Sequence, residues 1–257
     1  MLINNTVRHF FDLLWGMTEK ELRARYKHTV FGFIWLVANP LLQMLIIGFI
    51  FPLVVKEVVP LYNYFLFTGL LIWNFFSLSL NKTTPSIVNE RSLIKKGAFP
   101  RAVIPISIIL SNLIHYLVAL ILLIIPLATL GTLSASSAIH FVTGLGLLVV
   151  FTIGISLLTC ALNVKFRDVN FFMQALLIVW FYATPIVYSL NQIQPDLLWL
   201  WHLNPLTSIT QLIQHALINS TPPTATMIGS NTAIIIIITT LGIITFYKES
   251  KNFDDWL

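Results

Sequence analysis

The spacing of its charges constrains this chain most. Residues 28–55 contain no Asp, Glu, Lys or Arg, and neither do 58–81, 102–164, 169–195 or 197–247. A helix of about 20 apolar residues crosses the hydrocarbon core of a bilayer. The 63-residue gap 102–164 is broken by the small, polar stretch Gly131-Thr-Leu-Ser-Ala-Ser-Ser137, and the last gap by Thr221-Pro-Pro-Thr-Ala-Thr226. Only 10% of the 257 residues are charged and 57% are hydrophobic, whereas a soluble domain carries about 25% charged residues. In water such a chain would expose too much apolar surface. The pattern predicts an all-α polytopic membrane protein forming a single domain over 1–257.

Segment 197–220 differs from the other apolar pieces. Thr207, Gln211, Gln214 and His215 fall on one helical face, and Leu206, Ile209, Ile213, Ala216 and Leu217 on the other. That division suits an interfacial or re-entrant helix better than a lipid-buried span. Six spans remain, at about 30–55, 61–82, 102–130, 139–163, 169–190 and 227–247. With six, 14 of the 15 Lys and Arg residues fall on one side and only Lys56 on the other. A seventh would strand Lys248 and Lys251. Cytoplasmic loops carry the excess of Lys and Arg, so both termini are expected in the cytoplasm. The same asymmetry accounts for the net charge of +5 without nucleic acid as a partner.

Apart from Lys82 at the very end of the second, the expected spans contain no Asp, Glu, Lys or Arg, the groups that ion-coupled pumps place at membrane depth. Either the energy source lies outside this chain or nothing is pumped. The sequence has no G-x-x-x-x-G-K-[ST] loop, no G-x-G-x-x-G and no H-E-x-x-H, so no cofactor or metal is expected in it. Cys160, alone in an apolar run, reads as a packing residue. His115, inside the third span, reads as a neutral histidine bonded to a neighbouring helix. The charged N-terminal stretch does not have the pattern of a signal peptide.

Three features on the basic side carry information. Residues 4–27 form an amphipathic interface helix with Val7, Phe10, Phe11, Leu14 and Met17 on one face and i,i+4 pairs Arg8–Asp12, Glu19–Arg23 and Glu21–Arg25. It would hold the first span and line an entrance. Residues 89–101 read as a short charged helix ending at Gly97 and closed by Pro100. It is either a solvated loop, basic because of orientation, or a docking helix whose exposed Leu93, Ile94 and Phe99 offer a contact patch. In the short connection Asn163-Val-Lys-Phe-Arg-Asp168, Asp168 can cap the fifth span, which Pro185 should kink or stop.

The chain resembles the ABC type-2 permeases that export polysaccharides and polyol phosphates (O-antigen, capsule and teichoic acid). The match lies in Arg25-Tyr-Lys-His-Thr-Val-Phe-Gly-Phe-Ile-Trp35 followed by Asn39-Pro40, in Asn163–Asp168 followed by Thr184-Pro-Ile-Val-Tyr188, and in Asn204-Pro205 before an amphipathic helix. Gln211 and Gln214 stand where such permeases often carry Glu and Arg. The resemblance implies one half of a homodimer, with two separate ATPase subunits binding ATP and Mg on its cytoplasmic face. It makes residues 89–100 a coupling helix, with Glu90, Arg91, Leu93, Ile94, Lys95, Lys96 and Phe99 as its contacts. Arg8, Phe11, Glu21, Arg25 and Tyr26 would belong to a gate helix, and Arg167 and Asp168 to a cytoplasmic loop motif. Residues 192–219 would dip into the outer leaflet as re-entrant helices.

Sugar C–H faces stack on aromatic rings, and a conduit needs contacts that bind and release. Phe31, Trp35, Trp180, Phe181 and Tyr182 are candidate linings. Asn39, Gln43, Asn74, Asn112 and Gln174 are polar within spans and either line the path or bond helix to helix. The expected function is export of a lipid-linked glycan through the bacterial inner membrane. Export of drugs or small lipids is an alternative. Another is a membrane glycosyltransferase or ligase, for which Glu57 and Asp196 are the outer-face acidic residues. A structural or channel-only role is the fourth reading.

Overall fold

The computed structural model describes residues 2–26, 34–54, 59–96, 99–132 and 135–256. Phe31, Lys56, Glu57 and Gly97 lie outside them, as do the side chains of Tyr26 and Lys96. The described residues are helical, with no strand. The helices are α1 (Leu2–Tyr26), α2 (Trp35–Val54), α3 (Tyr62–Thr83), α4 (Ser86–Asn89), α5 (Arg91–Lys96) and α6 (Val103–Thr129). They continue with α7 (Ala135–Lys165), α8 (Asp168–Tyr182), α9 (Leu198–His202), α10 (Pro205–Ile218), α11 (Ala225–Glu249) and α12 (Phe253–Trp256).

Among the described residues, α3, α6, α7 and α11 are long and apolar enough to cross a membrane, where six spans were expected. The other two expected positions hold the shorter apolar helices α2 and α8. Helix α8 has 15 residues, about 22 Å of rise, because it stops at Tyr182 and not near residue 190. Pro185 cannot donate to a helical carbonyl and disfavours helix at the residue before it, so helical geometry ends upstream.

Helix α3 is the central element. Its buried Phe65, Leu66, Phe75 and Phe76 meet α6 on one side and α7 on the other, and α2 packs outside it. The rings of Phe76 and Phe151 stack 5.5 Å apart. The α7–α11 pair is the most extensive contact. There Gly154 and Gly242 face each other so closely that a Cβ on either would overlap the opposing backbone. Small residues let membrane helices approach in this way, and Thr239 Oγ1 adds a 3.3 Å bond to the Val150 carbonyl.

The breaks follow local chemistry. Gly131 takes φ +68° just past α6, the left-handed position glycine fills at helix ends. Thr224 caps α11 by accepting from the Met227 amide. At the start of α8 the side-chain acceptor is Asn163, which receives the Asn170 amide at 3.2 Å. Asp168, expected to cap, sits inside the first turn, where its charge complements the helix dipole.

Helix α10 is covered on both faces. Its apolar face is buried, and so are Thr207, Gln211 and Gln214 on its polar face. It wedges among α3, α7 and α11 at the end of the bundle where α3 and α7 begin, and Gln214 Nε2 donates to the Phe65 carbonyl at 3.2 Å. The polar face is thus absorbed by protein and not laid against an aqueous interface.

Candidate functional site

Two groups of residues singled out from sequence meet at the basic end of the bundle. The first surrounds α4 and α5. Lys20 Nζ of α1 lies 2.7 Å from Glu90 Oε1, and Lys82 Nζ of α3 lies 3.9 Å from Glu21 Oε2. These pairs bracket a groove of about 290 Å³ between α1 and the α3–α4 turn. Glu19 and Arg23 pair along α1 as expected. The apolar contact patch does not form as read. Ile94 is only 4% exposed, and Phe99 is partly buried against the same cluster, which also contains Ile87, Ile104, Leu157 and Cys160. Two apolar side chains beside that cluster gain more by joining it than by facing solvent. Leu93, at 37%, stays exposed with Arg91 and Lys95.

Lys20 and Glu90 tie α1 to α4–α5, and both are partly solvated. Their coupling is expected at about 0.3–1 kcal/mol. A double-mutant cycle on thermal stability with Lys20→Met and Glu90→Gln reads it, and a coupling near zero would remove this link.

The second group forms a cleft of about 500 Å³, with mixed polar and apolar walls, between α3 and α6, roofed by the end of α1 and the start of α2. Arg25, Trp35, Asn39, Asn74, Asn112 and His115 line it. Arg25 Nη2 donates to Asn112 Oδ1 at 2.5 Å, and Arg25 Nη1 meets His115 Nδ1. A guanidinium has no acceptor, so the ring nitrogen it faces must accept, and the imidazole proton sits on Nε2. Asn112 Nδ2 donates in turn to Ser79 Oγ at 3.1 Å, and Asn74 Nδ2 to Gln43 Oε1 at 3.3 Å. The network fixes the side chains and leaves a concave surface on which amides, one imidazole, one indole and one guanidinium alternate with apolar Leu71, Phe75 and Leu78.

Sequence reasoning missed Ser77 and Asn81, which also line the cleft. The signal was present: Asn74, Ser77 and Asn81 recur at i, i+3 and i+7 on one face of α3.

The aromatic candidates separate. Trp35 lines the cleft and is 51% exposed. Trp180 packs at 5.3 Å from Phe76 and 5.9 Å from Phe151, and its Nε1 donates to Asn204 Oδ1 at 2.9 Å. Phe181 sits edge-on to Trp73 at 5.4 Å. Tyr182, 71% exposed, faces outward from α8 with Gln174. The fold therefore brings Arg25 and Trp35 together with Asn39, Asn74 and Asn112, and does not bring Trp180, Phe181 or Tyr182 to them. Phe11 is exposed beside Leu110 of α6, and Arg8 is exposed. Arg167 and Asp168 lie at the turn into α8.

Residues 12–218 match the family described as ABC-2 type transporter. The chain is similar to the O-antigen export system permease protein RfbA of Klebsiella pneumoniae, 37% identical over 205 residues, 78% of each chain. It is 29% identical over 243 residues to the protein of the same description from Myxococcus xanthus, 94% of each chain. It is 24% identical over 201 residues to the polysialic acid transport protein KpsM of Escherichia coli, covering 77% of this chain and 78% of that one.

Proposed function

The chain belongs to the ABC-2 type transporter family, and on that premise we propose that it is the permease of an exporter that carries a lipid-linked polysaccharide across the bacterial cytoplasmic membrane. The observation that carries this reading is the cleft, which sets amides and a hydroxyl beside aromatic and apolar walls. Amides and hydroxyls exchange hydrogen bonds with sugar hydroxyls at little cost, and Trp35 offers a face for sugar C–H groups. Such a surface binds without holding, as conduction demands.

Energy comes from outside. The apolar segments carry no ionisable chain of Asp, Glu, Lys or Arg to couple an ion gradient. Two ATPase subunits holding ATP and Mg²⁺ dock at the basic end and push on α4–α5 and, through Lys20–Glu90, on α1. A second copy of the chain completes the conduit. The exposed apolar faces of α2, α8 and α11 are divided between that copy and lipid. In this reading α2 and α8 are the remaining two of six spans, α8 extended by residues 183–188, and both termini are cytoplasmic. Helices α9 and α10 are the re-entrant pair, entering from the outer side into a niche walled by protein.

Deleting the gene tests the reading. Surface glycan should disappear while lipid-linked glycan accumulates on the cytoplasmic leaflet. Unchanged surface glycan would refute it. Within the cleft, Trp35→Ala should slow export roughly two- to tenfold, the loss of one aromatic contact of about 0.5–1.5 kcal/mol. Because Trp35 is half exposed, the amount of folded protein should not change.

A further inference from the structure

We propose that residues 250–256 form a latch that makes the last long helix, α11, follow the α4–α5 segment as one body; the functional consequence rests on the export reading above. Helix α11 packs along α7 on one side and leaves Ile236, Ile237, Leu241, Ile243 and Ile244 exposed on the other. After Glu249 the chain does not run on into solvent. A 3₁₀ turn at Ser250–Asn252 carries the helical path on, and Phe253 just after it packs into the bundle, where it is 1% exposed. Its ring meets Phe246 edge-on at 5.6 Å. Phe253 shares one buried cluster with Ile87 of α4, Ile94 of α5 and Ile104 of α6.

Arg101 closes the latch. It lies between α5 and α6, its guanidinium donates to the Ser250 carbonyl, and its Cζ sits 5.8 Å from the centre of the Phe253 ring. The carbonyls at a helix C-terminus have lost their helical donors and carry partial negative charge, so a cation there satisfies both needs. The connection after α7 joins as well, since Lys165 Nζ lies 5.4 Å from the Phe166 ring and 5.3 Å from the Trp256 ring. Three turns at the basic end thus converge on residues 250–256, two of them on Phe253 and the third on Trp256. A push on α4–α5 reaches α11 through this contact, because packed side chains transmit displacement where solvated tails cannot. Arg101 and Phe253 are positioning residues, remote from the cleft.

The test uses the full chain with its partner ATPase in proteoliposomes, with radiolabelled lipid-linked glycan isolated from the source cells. Phe253→Ala and Arg101→Met should each lower glycan moved per ATP hydrolysed by about fivefold or more, with the ATPase still bound at wild-type stoichiometry. Phe253→Leu, which keeps the site filled, should stay within about twofold. An unchanged ratio in both variants would overturn the latch. So would loss of ATPase binding with a normal ratio in the surviving complexes. A second readout is independent of cargo. Spin labels at Ser92→Cys and Lys248→Cys, in a Cys160→Ala background, should keep one separation with and without ATP in the otherwise wild-type complex and lose it in Phe253→Ala. A separation that changes with ATP while Phe253 is intact would overturn the latch. Failure of the wild-type complex to move glycan while that separation held would count against the export reading alone.

Discussion

Replacing Asn204 by Ala is expected to lower the thermal unfolding midpoint by roughly 10 °C, the largest loss from any single polar side chain here. All of its bonding capacity is used at one junction. Oδ1 accepts from the Leu206 amide at 3.1 Å, capping α10, and from Trp180 Nε1 at 2.9 Å. Nδ2 donates to the Ala183 carbonyl and to Thr184 Oγ1, each at 3.0 Å. One side chain therefore ties the end of α8, the turn before Pro185 and the start of α10. The lost cap accounts for about 1 kcal/mol. Each buried partner left unsatisfied adds about 1–3 kcal/mol in water. Hydrogen bonds within membrane proteins average lower, near 0.6 kcal/mol, so the sum is about 2–4 kcal/mol. Asn204→Asp keeps the acceptor for α10 and Trp180 but turns an oxygen toward the Ala183 carbonyl, so it should fall between. Fluorescence-detected thermal scans in detergent measure all three proteins. A shift below about 2 °C for Asn204→Ala would show that the junction is held by packing alone.

The second large effect is expected at Gly154. Alanine normally stabilises a helix over glycine by about 1 kcal/mol. At Gly154 the sign reverses, because an added Cβ would lie 2.5 Å from Thr239 Cα and Oγ1, and backbone cannot rotate aside as a flexible side chain can. Separating α7 from α11 to relieve the overlap costs about 1–3 kcal/mol or more. Gly242→Ala should behave alike, since its Cβ would strike the Gly154 carbonyl. Gly146 supplies the control. It lies on the same helix α7 with no atom near its added Cβ, so Gly146→Ala should be neutral or stabilising by up to about 1 kcal/mol. The comparison is read as folded yield and unfolding temperature. Equal behaviour of Gly154→Ala and Gly146→Ala would contradict the close α7–α11 crossing.

Gaps between charges located α3, α6, α7 and α11 to within a few residues, because a bilayer excludes charge wherever the chain is buried in it. Small and polar breaks marked their ends, with Gly131 and Thr224 acting by known capping geometry. The shortness of α8 was less legible, since apolarity continues through Ile186 and Val187 after helical geometry has stopped. The inward turn of Ile94 and Phe99 depends on a cluster assembled from α4, α6, α7 and α11, and no local pattern reports partners so distant in sequence. What covers the polar face of α10 was not legible for the same reason: periodicity shows that two faces differ but not what lies against them. Of the cleft, Trp35, Asn39, Asn74 and Asn112 were legible as polar or aromatic residues in apolar surroundings, and Arg25 as part of the charged N-terminal helix. That they share one cavity, and that Trp180 supports the Asn204 junction, follows only from helix packing. The burial of Phe253 follows from packing as well, since its cluster partners come from α4, α5, α6 and α7.

Vectorial transport in a closed system tests the central claim most directly. The purified chain is placed in proteoliposomes with and without its partner ATPase, and radiolabelled lipid-linked glycan is offered on the ATPase side. Glycan is expected to reach the opposite leaflet only when the ATPase, ATP and Mg²⁺ are all present. Glycan carried against its gradient by the chain alone, or none carried by the complete complex, would contradict ATP-driven export.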